Sequence, residues 1–330
     1  MTYRADAVLA CTLVLLLSYL PAAGIDWFNF GATTTAPPPP GNPLAGATMW
    51  IDESANPARA QATAWRTSRP TDAAQMDKIA DQPKATWLGS WSGDIQAAVA
   101  DRMRAAGTKV AVFVAYNIPL RDCSGHHSAG GISDPASYRS WIQGLADGIG
   151  TGTAVVILEP DALADMDCLS VTDKSTRTSL LKEAVATLKA RRGAIVYLDA
   201  GNSSWVTAST MARRLTAAGI AQSDGFALNI SNYSDTARET TYGRAISQGI
   251  GRKHFLIDTS RNGVGGNGEW CNAAGRALGA RPTTQTGEGL VDAYLWIKSP
   301  GESDGTCNGG PAAGQWWADY ALGLAQHAAW

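Results

Sequence analysis

Short, unbroken apolar runs alternate along this chain with longer stretches in which apolar residues recur every three or four positions. The runs are "ATMWID" (47–52), "KVAVFVAYN" (109–117), "AVVILEPD" (154–161), "AIVYLDAG" (194–201), "GFALNIS" (225–231), "HFLIDTS" (254–260) and "DAYLWIK" (292–298), with a weaker one at "ATWLGSW" (85–91). Runs so rich in Val, Ile, Leu and Ala, without polar alternation, predict strands covered on both faces. Helical spacing covers residues 94–106, 136–149, 173–192 and 205–218, with Gly placed to end several of them. Strand followed by helix, repeated six or more times, predicts an α/β fold with a parallel sheet under helices.

The polar residues separate an open sheet from a barrel. Asp52, Asn117, Glu159 with Asp161, Asp199, Asn229 with Ser231, Asp258 and Lys298 all fall at the carboxyl ends of their runs. In a parallel barrel these ends converge on one mouth, whereas a doubly wound sheet gathers its ligand groups at one switch point. A Gly-rich phosphate turn after the first run is missing, and "GVGGNG" (263–268) lacks both the Walker lysine and a following helix. It reads as a loop, and the chain as a barrel.

Composition narrows the partners. The 330 residues suffice for one large domain. A net charge of −2 with 17% charged residues supplies no basic field for nucleic acid and no acidic tract for cations. Twelve tryptophans stand out. Core packing absorbs most of them, and the rest suit a protein that stacks flat ligand faces.

The N-terminus reads as a targeting element. Residues 8–20 form an apolar stretch of signal length behind Arg4, shorter than the roughly 20 residues of a membrane span. Residues 1–23 are therefore a signal peptide, or an uncleaved signal anchor that tethers the protein; residues 24–42, with "GATTTAPPPPGN", are an extended linker; the catalytic barrel runs over 43–330. Secretion puts Cys123, Cys168, Cys271 and Cys307 in an oxidising compartment, with Cys11 left in the signal. Two disulfides are expected, with three pairings open, and the spacing is unlike a C-x-x-C metal or redox motif, so no metal is expected.

The stretch "VVILEPDALADMDC" (155–168) then acquires a meaning, because its apolar strand breaks into four acids. Carboxylates among aromatics at a barrel mouth, without a metal cluster or nucleophile elbow, match glycoside hydrolysis, in which an acid and a base flank the scissile bond. Asp161 is the acid candidate, since burial and a neighbouring carboxylate such as Asp122 would keep it protonated. Glu159, Asp165 and Asp167 read as structural acids that cap a helix or pair with arginine.

On the motifs "AYNIPLRDCSGHHSAGG" (115–131), "ILEPDALA" (157–164), "LDAGNSSW" (198–205), "LNISNY" (228–233), "EWCN" (269–272) and "WIKSPGESDGTC" (296–307), the chain resembles glycoside hydrolase family 6. These are secreted cellulases that cleave β-1,4-glucan with inversion and need no cofactor. The resemblance covers nearly all of the chain after about residue 42. It implies a distorted (β/α) barrel of seven to eight parallel strands with the active cleft at their carboxyl ends. It makes Asp161 the general acid and Asp122 the group that modulates its pKa and relays water. Ser128 would contact that water, and Tyr116 would help distort the sugar ring. Asp304 becomes base or electrostatic partner, held by Arg121 and Arg261.

Asp199, Asn229, Lys298 and Glu302 match substrate-binding positions, and Trp50, Trp205 and Trp270 match stacking platforms. Trp296 reads as core, and Trp65, Trp87, Trp91, Trp141, Trp316 and Trp317 as packing. The same resemblance pairs Cys123 with Cys168 and Cys271 with Cys307. It implies a monomer whose partner is a β-1,4-glucan chain, with no nucleic acid and no protein partner. Only "NGGPAAG" separates Cys307 from Gln315, where the exo-acting members carry a long insertion that roofs the cleft. An open cleft favours an endoglucanase. The alternatives are a cellobiohydrolase of the same family or an inactive secreted β-glucan-binding protein, and the presence of Asp122, Asp161 and Asp304 argues against the latter.

Overall fold

The computed structural model describes residues 41–124 and 129–330. The expected signal, the linker up to residue 40, and Ser128 lie outside the described residues.

Seven strands form one sheet in chain order: β1 (Thr86–Leu88), β2 (Ala111–Ala115), β3 (Ala154–Leu158), β4 (Ala194–Asp199), β5 (Gly225–Leu228), β6 (His254–Asp258) and β7 (Val291–Leu295). Every neighbouring pair is parallel. Alternate residues of each strand serve two cores. Val112, Val114, Val155, Ile157, Tyr197, Leu256 and Leu295 pack inside the curled sheet. Phe113, Val156, Leu158, Val196, Phe226 and Ile257 face the helices outside. Burial on both faces is why these strands read as continuous apolar runs.

The barrel is incomplete between β1 and β7, which form no ladder with each other. Ala85 N donates to Trp296 O at 3.0 Å and the Trp87 indole donates to Ile297 O at 2.9 Å, so one backbone bond and one side chain span the gap. The run at 47–52, expected as a full strand, makes only an isolated parallel bridge, Met49 to Val110. Because β1 is short, the stretch of β2 below it is left open. Thr48 O accepts from Val110 N at 2.9 Å and Trp50 N donates to Val110 O at 2.8 Å there. The weak run at 85–91 is the one that becomes β1.

Among the described residues, eight α-helices surround the sheet: α1 (Pro57–Trp65), α2 (Pro70–Ala80), α3 (Ile95–Ala106), α4 (Pro135–Ile149), α5 (Val171–Lys189), α6 (Ala208–Ala217), α7 (Thr236–Gly249) and α8 (Ala318–Gln326). Side-chain caps fix where they start. Asp94, Asp134, Ser170, Thr207 and Asp235 each accept from a first-turn amide. These caps fix the helix starts that follow β1 to β5, and so the length of the loops that carry polar groups to the mouth.

Candidate active site

The strand ends turn sharply into the mouth. Asp122, Glu159, Asp161, Asn229 and Ser231 all adopt positive φ, between 51° and 68°. Such a conformation is costly for a residue with a Cβ and persists where the surroundings over-determine it. Glu159 supplies part of that constraint. Its carboxylate, 1% exposed, accepts from the amides of Asn117 at 2.9 Å and Ile118 at 3.0 Å, tying β3 to the loop after β2. Glu159 is thus structural, as expected, though it anchors a strand end and caps no helix. Burial pushes its carboxyl up to about 7.

Asp161 follows at once, half-buried in the cleft wall. Desolvation, then the charges of Asp199, Asp122 and Asp165, push its carboxyl well above the usual carboxylate range. Asp199 lies beneath it, and its Oδ2 accepts from the Asp161 amide at 2.9 Å and the Gly201 amide at 3.0 Å. Burial raises Asp199 to about 7. Its other oxygen, Oδ1, is buried without a hydrogen-bond partner. Asp122 lines the same cleft, and its Oδ2 accepts from the Tyr116 hydroxyl. Tyr116 is itself wedged in place, with the Trp87 ring edge-on at 5.2 Å and the Arg121 guanidinium over its face at 4.0 Å.

Asp304 lines the same cleft. Its Oδ2 accepts from Arg261 Nη1 at 2.8 Å, the Asn272 amide at 2.9 Å and the Tyr233 hydroxyl at 3.3 Å, and its Oδ1 lies 3.3 Å from Lys298 Nζ. Burial acts to raise this carboxyl, but Arg261 and Lys298 outweigh it and hold it below the usual carboxylate range. The second cation beside Asp304 is Lys298; Arg121, expected there, directs Nη1 to Tyr116 O at 2.6 Å.

Between the two acids lies a cleft of about 1080 Å³. Trp205 and Trp270, 45% and 42% exposed, stand in its wall as expected of platforms, and Lys298 and Glu302 line it as well. Trp50 is half-buried against the outer core and does not line the cleft, whereas Trp87, Trp91 and Trp316 do. Asn229 is fully buried, with its amide spent on Ser234 and Asp258 carbonyls, so it shapes the strand end instead of the cleft surface. Trp296, expected in the core, is 1% exposed.

Two disulfides brace these loops, Cys123 to Cys168 and Cys271 to Cys307. The first joins the residue after Asp122 to the segment after Asp161. The second joins the residue after Trp270 to the loop of Asp304.

Residues 44–328 match the family model for Glycosyl hydrolases family 6. The chain belongs to glycosyl hydrolase family 6. It is similar to endoglucanase A of Cellulomonas fimi, 50% identical over 273 residues that cover 81% of this chain and 59% of that protein. It is also similar to endoglucanase 1 of Streptomyces halstedii, 43% identical over 296 residues, covering 86% of this chain and 91% of that protein. The chain therefore spans little more than half of the first relative and nearly all of the second. Among solved structures, an endoglucanase from Mycobacterium tuberculosis in complex with methyl-cellobiosyl-4-deoxy-4-thio-β-D-cellobioside has a TM-score of 0.82 at 43% identity, over 87% of this chain and 99% of that one.

Two supporting residues of this family 6 chain escaped the sequence reading. Arg177 on α5, 3% exposed, donates to the carbonyls of Ala162, Pro119 and Leu120, joining the loops of Asp161 and Asp122. Arg214 on α6 donates to Leu163 O at 2.7 Å while pairing with Asp167. The acid Asp167 was expected to pair with an arginine, but nothing in the local pattern of either helix singles out its partner.

Proposed function

We propose that the chain is an endo-β-1,4-glucanase that hydrolyses cellulose and soluble β-1,4-glucans with inversion. The observation that carries this is one cleft holding two carboxyls pushed in opposite directions, Asp161 upward and Asp304 downward. Such a divergence supports the roles of acid for Asp161 and charged partner for Asp304. Asp161, protonated, gives its proton to the glycosidic oxygen as the C–O bond breaks. A water attacks the anomeric carbon from the opposite face, and its proton leaves towards Asp122, with Ser128 contacting the water. Asp304 stays ionised and steadies the positive charge that develops on the sugar. Held by two cations, it makes a weak base. Tyr116 lies under the reacting sugar, and Trp205, Trp270, Lys298 and Glu302 bind its neighbours.

Endo action is supported by the short connection from Cys307 to Gln315 and by the relatives being named endoglucanases. The glucan partner is supported by the cello-oligosaccharide analogue bound to the M. tuberculosis enzyme. The two disulfides suit an oxidising compartment, which supports secretion; the export segment is placed at 1–23, the linker at 24–42 and the barrel at 43–330 of a chain that acts as a monomer.

Viscosity and reducing ends followed together on soluble carboxymethylcellulose test this. A fast viscosity drop that falls by about 10²–10⁴ in kcat with Asp161→Asn is the expected outcome. Slow viscosity loss with cellobiose release would replace the endo reading by the exo one, and inactivity of the wild type on every β-glucan would end the hydrolase reading.

A further inference from the structure

We infer that Trp91 is a further sugar-stacking platform of the cleft, set on the β1 and β2 side of the reaction centre; the inference rests on the glucanase reading. Trp91 lines the cleft and is 59% exposed, more than Trp205 or Trp270. A large exposed indole forgoes the burial that a big apolar side chain ordinarily gains, so its support is informative. That support is built into the chain. Gly89, extended at φ −159° and ψ −163°, lies directly beneath the six-membered half of the indole. A Cβ at Gly89 would come within 2.4 Å of two of its ring carbons. The ring thus rests against bare backbone at Gly89 and lines the cleft, with the Arg121 guanidinium over it at 5.7 Å.

The turn that presents the ring is fixed in advance. Ser92 N donates to Gly89 O at 2.9 Å, Gly89 N donates to Ser92 Oγ at 3.1 Å, and Ser90 Oγ donates to Asn117 Oδ1 at 2.6 Å. Asn117 ends the run of β2, so the turn is tied to the strand that carries Tyr116. A preformed platform loses little conformational entropy when a ligand lands on it. Position follows from Arg121, whose guanidinium lies 5.7 Å from the Trp91 ring and 4.0 Å from the Tyr116 ring. Trp91 therefore flanks the cleavage point and not a remote end of the groove. Trp205 and Trp270 project from the loops after β4 and β6, so Trp91 adds contact on a side that they do not reach. The ligand suited to it is a β-1,4-linked glucose unit, whose axial C–H faces are flat and apolar while its hydroxyls point outward along the ring edge.

The test uses three variants in the full chain. Trp91→Ala removes the ring, Gly89→Ala keeps the ring but evicts it from its seat, and Trp91→Tyr restores an aromatic face. Steady-state kinetics on cellotriose to cellohexaose are read beside cellohexaose binding by calorimetry in an Asp161→Ala background. The expected result is a roughly three- to tenfold loss of cellohexaose affinity and a matching rise in KM for Trp91→Ala, larger for long oligosaccharides than for short ones. Gly89→Ala should reproduce that loss with the melting temperature little changed, and Trp91→Tyr should recover part of it. If the wild type hydrolyses these substrates while Trp91→Ala keeps its KM and affinity at every length, the platform is refuted and the glucanase reading stands. If the wild type neither binds nor hydrolyses any β-glucan, that reading falls and the platform with it.

Discussion

Asp161 and Asp304 line one cleft but differ in their surroundings. Asp161 has carboxylates for neighbours and Asp304 has cations, so the same side chain is held as an acid in one place and as an anion in the other. Asp199 is the lever on the first. After burial, its charge is the largest influence raising Asp161, and Asp199→Asn would remove that charge while leaving an oxygen to accept from the Asp161 amide. Asp161 must be protonated to act, so its titration sets the alkaline limb of kcat/KM. In Asp199→Asn that limb should move to lower pH, and a pH profile in which it stays in place would remove Asp199 from this role. Asp304→Asn should behave differently. It leaves the fully buried Arg261 short of its counter-charge, an uncompensated charge that costs about 3–5 kcal/mol. A large fall in melting temperature should therefore accompany the loss of kcat, and an unchanged melting temperature would mean that the ion pair does not hold the loop.

At the scale of elements, the site is a set of strand ends kept in register by cross-loop ties. The disulfide from Cys123 to Cys168 closes a separation of 45 residues, for which the chain-entropy picture gives about 4 kcal/mol. Because Cys123 adjoins Asp122, replacing both cysteines by alanine should lower kcat as well as the melting temperature, with KM less affected. A loss of stability alone, read from kinetics well below the transition, would leave Asp122 positioned by Arg177 and Glu159 without the disulfide. The strands were legible in the sequence because burial on both faces leaves little choice of residue. The run at 47–52 was misleading for the same reason: "ATMWID" has a strand's pattern, but the slot it occupies beside β2 has room for a single bridge. The acids were legible from their place after apolar runs. The tryptophan assignments were less so, since the wall that Trp50, Trp87 or Trp91 faces depends on how the β1 edge meets β7, which no local pattern encodes.

Over the whole molecule, the barrel mouth holds more carboxyls than its fold would choose for stability. Glu159 and Asp199 sit at about 7, Asp161 is raised well above the usual carboxylate range, and Asp258, Glu239 and Glu302 are raised as well, as is Asp292 at the start of β7, in each case by burial first. A carboxyl whose folded pKa exceeds its unfolded one holds its proton longer when folded. The stability it contributes is complete below the unfolded pKa of about 4 and is lost as pH rises through the folded value. Asp304 and Asp167, held below their ordinary values, and Asp134, lowered to about 2 by its capping bonds to Ser137, work the other way and lose their contribution only in acid. Asp134 and Asp167 lie at the surface, where screening weakens their effect, so the buried majority sets the slope. The melting temperature should therefore fall between about pH 5 and pH 8, and a scan that rises over that window would reverse the sign argued here. Asp199→Asn isolates one contribution. It should raise the melting temperature by about 2–4 °C near pH 8, where the wild-type carboxyl is buried and charged, and leave it nearly unchanged below about pH 4, where that carboxyl is neutral folded and largely neutral unfolded. Stability gained at the pH where the alkaline limb has been lost would mark Asp199 as a group kept for catalysis against the interest of the fold.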